Sequence, residues 1–323
     1  MKKFIVMLIV VCFVLSIGSL VIMAEEKYPT KPITLIVPYG AGGMTDTTAR
    51  LIAEKIKHEL GQPVIVVNKK GAAGLVGTAH FFREAADGYT VLVTTSDSLI
   101  VPLFQGEKEP IDPGKFKYVG SYMFQERVLF AQMDAPYKTW EEFVAYVKEH
   151  PGEVTFGSGG DMWATSIMKS VAIKEGLKMK YVMFDSGADA SAQILGRHVD
   201  VCETGVGTPA YQAAKADKLR ILIDLSSGTV PGFPDVQNVL DKGYPFAETM
   251  AYGIVLRAEV PEYIREIWEN AFKTVMQDPD LINKMEKLGL TPEFVNGQEW
   301  EKICKGVLAV GNLLEYIKVL IEG

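Results

Sequence analysis

Apolar residues occur along this chain in two alternating spacings. Residues 33–37 form an unbroken apolar run rich in β-branched side chains, which is typical of a buried strand. From residue 46 to residue 60 apolar side chains recur every three or four positions, which predicts an amphipathic helix. Strand-like runs at 64–67 and 89–94 enclose a second helical pattern at 72–84. Because strands alternate with helices, we expect a parallel sheet with right-handed crossovers.

The same alternation restarts in the second half of the chain and predicts a second α/β lobe. Its strands are expected at 154–156, 181–184, 199–202 and 219–225. We interpret the extended segments 118–132 and 250–256 as two crossings of a hinge. The helical patterns at 261–288 and 298–321 would then return the chain to the first lobe. A two-lobed clamp with a central cleft is the expected result.

The amino terminus has the pattern of an export signal. Lys2 and Lys3 precede an uncharged run from residue 4 to residue 24, which ends in the small residue Ala24. The run is also long enough to span a bilayer, so a retained anchor stays open beside a cleaved signal. In both cases the folded part lies outside the cytoplasm. Cys12 lies inside the apolar run, so lipidation is set aside.

Composition narrows the class of protein. About 300 residues follow the signal, a length that suits two domains. The chain carries 33 basic and 40 acidic side chains, so nucleic acid is not an expected partner. Cys202 and Cys304 lack C-x-x-C spacing, which argues against a zinc cluster and leaves one disulfide or two buried thiols open. The four histidines show no metal-binding spacing, so neither a metal nor a cofactor is expected.

The first strand leads into the loop 39–46, Tyr-Gly-Ala-Gly-Gly-Met-Thr-Asp. In parallel α/β sheets, ligands bind beyond the carboxyl ends of strands, where such loops enter helices. The glycines leave room beside the backbone amides, and Thr45 or Asp46 can cap the following helix. Because the start of a helix favours negative charge, a carboxylate is the natural occupant. A tight turn without a ligand is the other interpretation.

Two enzymatic interpretations fit the loops less well. A dinucleotide site would need a glycine where Thr45 stands, and an acidic residue where Asn68 ends the second strand. The loop 156–161, Phe-Gly-Ser-Gly-Gly-Asp, provides a second cradle of amides. In a nucleophile elbow a glycine would replace Phe156, which disfavours Ser158 as a nucleophile.

With these segments in view, the chain resembles the tripartite tricarboxylate transporter receptors, also called the TctC or Bug family. The similarity runs from Tyr28 nearly to the end of the chain. The motifs that carry it most strongly are YPTKPITLIVPYGAGGMTD at 28–46, LGQPVIVVN at 60–68, GAAG at 71–74 and DGYT at 87–90. Supporting pieces lie at 157–158, 196–200, 233–236 and 243–245.

The resemblance implies a clamp of the periplasmic-binding-protein (type II-like, Venus-flytrap) class. Each lobe would be a mostly parallel sheet flanked by helices, and two crossing strands would join the lobes. It also implies that the loops 39–46 and around Ser158 hold a ligand carboxylate through amides, hydroxyls and water rather than through an arginine. The expected boundaries are 1–24 for the signal, 25–122 for the first lobe, 123–250 for the second lobe and 251–323 for the return to the first lobe.

The function implied by the resemblance is that of an extracytoplasmic, monomeric solute-binding receptor rather than an enzyme. It would capture a di- or tricarboxylate, an aromatic acid or an acidic amino acid for the membrane permease subunits of a tripartite transporter. A secreted hydrolase-type α/β enzyme acting through Ser158 or Asp46, and a membrane-anchored sensory receptor with the same clamp, are the alternatives. The expected ligand-binding residues are Tyr39, Gly40, Ala41, Gly42, Gly43, Thr45, Asp46, Thr95, Ser96, Ser98, Ser158, Gly159, Gly160, Asp161, Trp163, Asp185, Ser186, Thr204 and Thr208.

Two segments depart from the family pattern. Met162 and Trp163 stand where the family has a further glycine and a small residue, and MFDSG at 183–187 replaces a Pro-Tyr-Lys-Gly type segment. We expect Trp163 either to contact the ligand or to pack inside the second lobe. Because Asp161 and Asp185 would repel a carboxylate, they are expected to face a hydroxyl, an ammonium or a bridging cation, or else to be solvated.

Overall fold

The structure is a computed structural model that describes residues 27–104, 107, 110–160, 162–244, 247 and 249–309. The expected signal at 1–24 therefore lies outside the described residues. Residues 27–30 form a short separate unit, and the compact unit considered below begins at Lys31. Within the described ranges, no helix combines the length and apolarity needed to cross a membrane.

The described strands fall into two sheets. In chain order they are β1 (Ile33–Val37), β2 (Val64–Asn68), β3 (Thr90–Thr95), β4 (Phe116–Gln125), β5 (Arg127–Gln132), β6 (Thr155–Ser158), β7 (Lys180–Met183), β8 (Val201–Gly205), β9 (Leu219–Asp224), β10 (Met250–Arg257) and β11 (Thr291–Asn296). The first sheet has the order β11-β4-β10-β3-β1-β2, and the second has the order β7-β6-β8-β5-β9. Each sheet with its helices forms one lobe, called the first and the second lobe below.

Helices flank both sheets. They are α1 (Met44–Leu60), α2 (Leu75–Arg83), α3 (Val101–Phe104), α4 (Trp140–Glu149), α5 (Met162–Glu175), α6 (Gly187–Leu195), α7 (Pro209–Lys215), α8 (Glu262–Val275), α9 (Pro279–Lys287) and α10 (Gly297–Ala309). Short 3₁₀ turns occupy Ala72–Gly74, Ser96–Leu99 and Pro113–Lys115. The two-lobed α/β prediction is confirmed by this arrangement.

Both sheets are mixed, which corrects the expectation of mostly parallel lobes. The parallel part of the first sheet is β2-β1-β3, whereas β10 runs antiparallel to β3 and β4, and β11 antiparallel to β4. In the second sheet, β6 pairs in parallel with β7 and β8, and β5 runs antiparallel to β8 and β9. The strands β5 and β10, with which the chain enters the second lobe and re-enters the first, both run antiparallel to their neighbours.

The hinge segments also differ from the expectation. The predicted extended run 118–132 is divided at Glu126, so that β4 belongs to the first sheet and β5 to the second. This is one crossing between the lobes. The other predicted crossing, at 250–256, lies wholly in the first sheet because β10 pairs there with β3 and β4. The chain therefore returns to the first lobe before Met250.

The carboxyl-terminal helices break where their sequence provides a cap. The predicted helix 261–288 is divided into α8 and α9, because the Asp278 side chain accepts hydrogen bonds from the amides of Asp280 and Leu281, and Pro279 starts the new helix. The strand β11 was not predicted. The part of the last predicted helix beyond Ala309 lies outside the described residues.

Each lobe has its own apolar core. In the first lobe, Ile36, Phe81 and Trp300 are fully buried and pack in one cluster, together with Cys304. In the second lobe, Cys202 belongs to a cluster on one face of the sheet, and no disulfide joins it to Cys304. The two thiols are thus buried structural residues in separate lobes.

Candidate functional site

A cleft of about 450 Å³, a volume that includes solvent at its open side, lies between the two lobes. Most of its walls come from the carboxyl ends of strands and from the loops that lead into helices, as expected for α/β sheets. Arg127, Met250 and Tyr252 instead lie at the amino-terminal ends of the antiparallel strands β5 and β10. The residues that line it are Tyr39, Gly43, Met44, Thr45, Thr95, Asp97, Arg127, Gly159, Gly160, Ser186, Gly187, Thr208, Met250 and Tyr252.

The start of α1 forms part of the first lobe's wall. Gly43 is the N-cap residue, and no side chain caps this helix end. Met44 and Thr45, in the first turn, also line the cleft. Because the first amides of a helix have no intrahelical acceptor and the helix dipole is positive there, this end provides donors that favour an anion.

Asp46 organises this loop from behind and is not one of the lining residues. Its buried carboxylate accepts hydrogen bonds from Gly42 N at 2.9 Å, Asn68 Nδ2 at 2.9 Å and Arg50 Nε at 3.1 Å. Burial alone would raise the pKa of Asp46, but the hydrogen bonds from Arg50, Gly42 and Asn68 outweigh it and lower that pKa. The carboxylate is therefore ionised, and it ties the glycine loop to α1 and β2.

A chain of polar side chains follows β3 on the same wall. The hydroxyl oxygen of Tyr39 lies 3.3 Å from Thr95 Oγ1, and Thr95 Oγ1 donates to Asp97 Oδ1 at 2.6 Å. Asp97 is only 3% exposed although it lines the cleft. Ser96 and Ser98 bond elsewhere, to the amide of Ala251 and to the Thr94 hydroxyl, and do not line the cleft.

The second lobe contributes the glycine pair Gly159 and Gly160 and the start of α6. A side chain at Gly159 would not fit, since its Cβ would lie 2.9 Å from the Cα atom of Gly187. The N-cap residue Ser186 accepts a hydrogen bond from Asp189 N at 3.1 Å through its side chain. Backbone from two loops therefore reaches the cleft without intervening side chains.

A buried ionic network lies behind this wall. Arg127 Nε donates to Glu203 Oε1 at 2.7 Å, and Ser158 Oγ donates to Glu203 Oε2 at 2.8 Å. Thr165 Oγ1 donates to Ser158 Oγ at 2.9 Å. Ser158 is fully buried and does not line the cleft, so the structure places it in support of Glu203. Arg127 does line the cleft.

The lobes touch beside the cleft. A Cβ atom built on Gly43 would lie 3.3 Å from Ser186 Cβ, which belongs to the other lobe. On another side, Gln212 Nε2 donates to Leu288 O at 3.1 Å. The clamp is therefore in a closed arrangement.

The remaining predicted residues lie in different places. Gly40 is buried against Ser186, while Ala41 and Gly42 are exposed at the tip of the loop. Thr204 is buried without lining the cleft, whereas Thr208 lines it at the start of α7. Asp161 lies outside the described residues.

The two unusual residues of the departing segments are not lining residues. Trp163 is 6% exposed and packs in the core of the second lobe with Ile167 and Met168, because the first turn of α5 turns its indole inward. This is the packing interpretation rather than the ligand-stacking one. Asp185 Oδ2 lies 2.6 Å from Lys70 Nζ of the first lobe, so the ammonium that it faces belongs to the protein.

Sequence reasoning missed several lining residues. Arg127 had a signal, because it is a lone cation inside the apolar extended run 118–132. Asp97 lies in a loop that was predicted to bind the ligand, but the prediction named its neighbours with hydroxyl groups and not Asp97 itself. The other lining residues that were missed are Met44, Gly187, Met250 and Tyr252.

The match to known proteins agrees with this geometry. Residues 48–317 match the family described as tripartite tricarboxylate transporter family receptor. The chain belongs to this receptor family. A Cupriavidus necator relative, described as the UPF0065 protein in the gbd 5′ region, is 30% identical over 282 residues, covering 86% of this chain and 85% of that protein.

Solved structures show the same fold for the receptor. The periplasmic binding protein BugD has a TM-score of 0.80 at 23% identity, covering 91% of this chain and 98% of that one. MatC from Rhodopseudomonas palustris with bound malate has a TM-score of 0.75 at 24% identity, covering 91% and 99%. The predictions of the family and of a solute-binding receptor are thereby confirmed.

Proposed function

We propose that this receptor binds a small carboxylate-bearing solute in the cleft between its lobes. One observation carries the proposal: the start of α1, which no side chain caps, and the glycine loop at Gly159 and Gly160 line the same cleft. The start of α1 supplies backbone donors, whereas the Gly159 amide already donates to Glu203 O at 3.2 Å, so the glycine loop contributes backbone without side chains on the facing wall. A carboxylate that binds there loses hydrating water, and several hydrogen bonds from the protein compensate for that loss.

Arg127 adds a positive group to the cleft, although the resemblance implied none. Its charge is offset by Glu203, since the two side chains form a buried ion pair. We assign Arg127 a supporting role. It helps to position the hydrogen-bond donors of the cleft, and the backbone amides bind the carboxylate. MatC, which has a similar fold, is described with bound malate, a dicarboxylate, and this makes dicarboxylates the first class to test.

In this proposal the receptor binds and releases its solute unchanged. Export by the signal at 1–24 would place the receptor outside the cytoplasm. There the receptor acts as a monomer, and its closed clamp delivers the solute to permease subunits. The hydrolase alternative needs Ser158 or Asp46 at the solute, but both are buried and neither lines the cleft. The anchored alternative is tested by the intact mass of the exported protein: a mass that includes residues 4–24 would contradict the soluble receptor.

The binding proposal is tested by a thermal-shift screen of the purified receptor. The panel consists of di- and tricarboxylates, aromatic acids and amino acids, with the amide of each acid as its uncharged control. A carboxylate at about a hundred times its Kd should add roughly 2.7 kcal/mol of apparent stability, and its amide should add none. A neutral sugar that shifts the melting temperature while every carboxylate fails would contradict the proposal.

A further inference from the structure

A buried side-chain amide bonds the two lobes to each other next to the crossing at Glu126. Gln125 is the last residue of β4 in the first sheet, and its side chain is fully buried. Its Nε2 atom donates to Val206 O, in the segment that follows β8 of the second sheet. Val206 N in turn donates to Glu126 O at 3.0 Å. Both backbone groups of this second-lobe residue are therefore bonded at the crossing.

The oxygen of the same amide accepts hydrogen bonds from both walls of the cleft. Tyr252 Oη donates to Gln125 Oε1, and Arg127 Nη1 donates to the same oxygen at 3.4 Å. Tyr252 lies on β10 of the first sheet and Arg127 begins β5 of the second, and both residues line the cleft. Gln125 therefore connects one lining residue of each lobe with the backbone of the crossing.

The Gln125 amide lies directly against Gly205, the last residue of β8. A Cβ atom built on Gly205 would lie 2.3 Å from Gln125 Cδ and 2.5 Å from its Nε2 and Oε1 atoms. Gly205 pairs with Arg127 in the second sheet, so the glycine and the amide belong to different lobes. A rotation of the lobes about the crossing moves the amide relative to Gly205 and Val206.

We infer that Gln125 is a positioning residue that couples closure of the clamp to the cleft through its bonds to Tyr252 and Arg127. The inference rests on the proposed binding of a solute in this cleft. A solute that packs against these two side chains keeps them next to the amide oxygen, while the amide nitrogen holds the second lobe at Val206. Because these buried bonds form in the closed arrangement, solute binding and closure favour each other.

Closure can be measured without any solute by cross-linking the lobes. Lys70→Cys and Asp185→Cys introduce two thiols where side chains of the lobes lie 2.6 Å apart, and the native Cys202 and Cys304 thiols are buried. The rate of cross-linking by a short bismaleimide then reports the closed fraction. In this background, Gln125→Met keeps the side-chain volume but removes the amide, and it should lower the rate about threefold or more. An unchanged rate would overturn the inference.

Gln132→Met is the matched control for this experiment. Gln132 is the last residue of β5, and its Nε2 atom donates to the carbonyl of Ile194 within the second lobe. Its loss should therefore leave the cross-linking rate unchanged. Each variant is first shown to unfold cooperatively, so that a lower rate reflects the lobes and not a partly unfolded receptor. Equal decreases in Gln125→Met and Gln132→Met would show that the bond at the crossing has no special role.

Gly205→Ala tests the same amide from the other lobe. The φ angle of Gly205 lies outside the left-handed region, so the backbone accepts alanine, and the added methyl group would displace the flexible Gln125 side chain. The rate should fall as it does in Gln125→Met. Gln125→Ala already lacks the amide, so adding Gly205→Ala to it should change the rate by less than about twofold. Two independent decreases that multiply in the double variant would contradict the inference.

Solute binding separates failure of this inference from failure of the proposed function. The probes are malate, succinate and citrate, measured by calorimetry and stopped-flow kinetics. For a probe that binds the wild type, Gln125→Met should weaken affinity about tenfold, mainly through faster release, and Gln132→Met should not. An unchanged release rate in Gln125→Met would refute the coupling and leave the proposed function intact. If no carboxylate binds the wild type, the proposed function fails, and the cross-linking rates still decide whether Gln125 holds the clamp closed.

Discussion

The Nζ atom of Lys70 lies 2.6 Å from Oδ2 of Asp185, and this contact joins the two lobes beside the cleft. Lys70 follows β2 of the first sheet, and Asp185 follows β7 of the second. Both side chains are more than half exposed, at 59% and 53%. The pair forms only when the lobes close, so it adds a small bias toward the closed clamp.

This pair predicts a uniform effect of Asp185→Asn on binding. Exposed ion pairs contribute little, so affinity should fall by no more than about fivefold, and the loss should shrink at high salt. All ligands should be affected by the same factor, mainly through faster release. Calorimetry and stopped-flow kinetics measure this, with Lys70→Met as the matched partner variant. A loss confined to amino acids would instead place Asp185 at the solute.

The buried pair of Arg127 and Glu203 predicts an asymmetric response to mutation. Arg127→Met leaves the fully buried Glu203 without its cation, which should destabilise the receptor by about 3–5 kcal/mol. The double variant Arg127→Met with Glu203→Gln removes both charges and should recover much of that loss. Urea denaturation of the two variants and the wild type checks this. Additive losses in the double variant would show that the pair does not act as a unit.

Asp224 at the end of β9 predicts a pH-dependent stability. Burial raises the pKa of Asp224 to about 7, although hydrogen bonds from Ser226 oppose the shift; the nearby Glu126 and Asp241 charges add to it. Its Oδ2 is buried and has no hydrogen-bond partner among the described residues. Because the folded pKa exceeds the ordinary value of 3.8, the protonated form is favoured by folding, and this contribution to stability is lost progressively as pH rises from 3.8 to about 7.

The variant Asp224→Asn should therefore be more stable than the wild type at pH 8, by about 1–3 kcal/mol, and nearly equal to it at about pH 4, close to the unfolded pKa. Urea unfolding at the two pH values measures the difference. Asp217→Asn, an exposed acid on the same lobe, serves as the control and should show no such dependence. A variant that is less stable at pH 8 would show that the ionised carboxylate is satisfied in the fold.

The parts of the fold that could be predicted are those with strong local patterns. The strand β1 and the helix α1 follow from the apolar run at 33–37 and from the helical spacing that ends at Gly61. The strand β11 was missed because Thr291–Asn296 contains a proline and a glutamate and is only partly buried at a sheet edge. The direction of β10 depends on its pairing with strands that are distant in sequence, and local sequence patterns carry no information about such pairing.

The candidate site, like the fold, could be predicted only where the sequence has strong local patterns. The loops of both lobes were found because glycines after strands indicate backbone donors, and Gly43, Thr45, Gly159 and Ser186 do line the cleft. Which polar side chains turn inward could not be predicted from the loops alone. Asp185 turned toward Lys70 of the other lobe, a partner that is 115 residues away in sequence.

The most direct test of carboxylate binding at the start of α1 is calorimetry of the variant Gly43→Val with a carboxylate that binds the wild type. Gly43 has φ −71°, which valine tolerates, but its Cβ would lie 3.3 Å from both Gly40 O and Ser186 Cβ, so a branched side chain would crowd the wall between the start of α1 and the second lobe. Gly306→Val, on an exposed turn of α10 with open space around it, is the control. We predict a loss of affinity on the order of a hundredfold in Gly43→Val with cooperative unfolding retained, and wild-type affinity in Gly306→Val. Wild-type affinity in Gly43→Val would contradict the account.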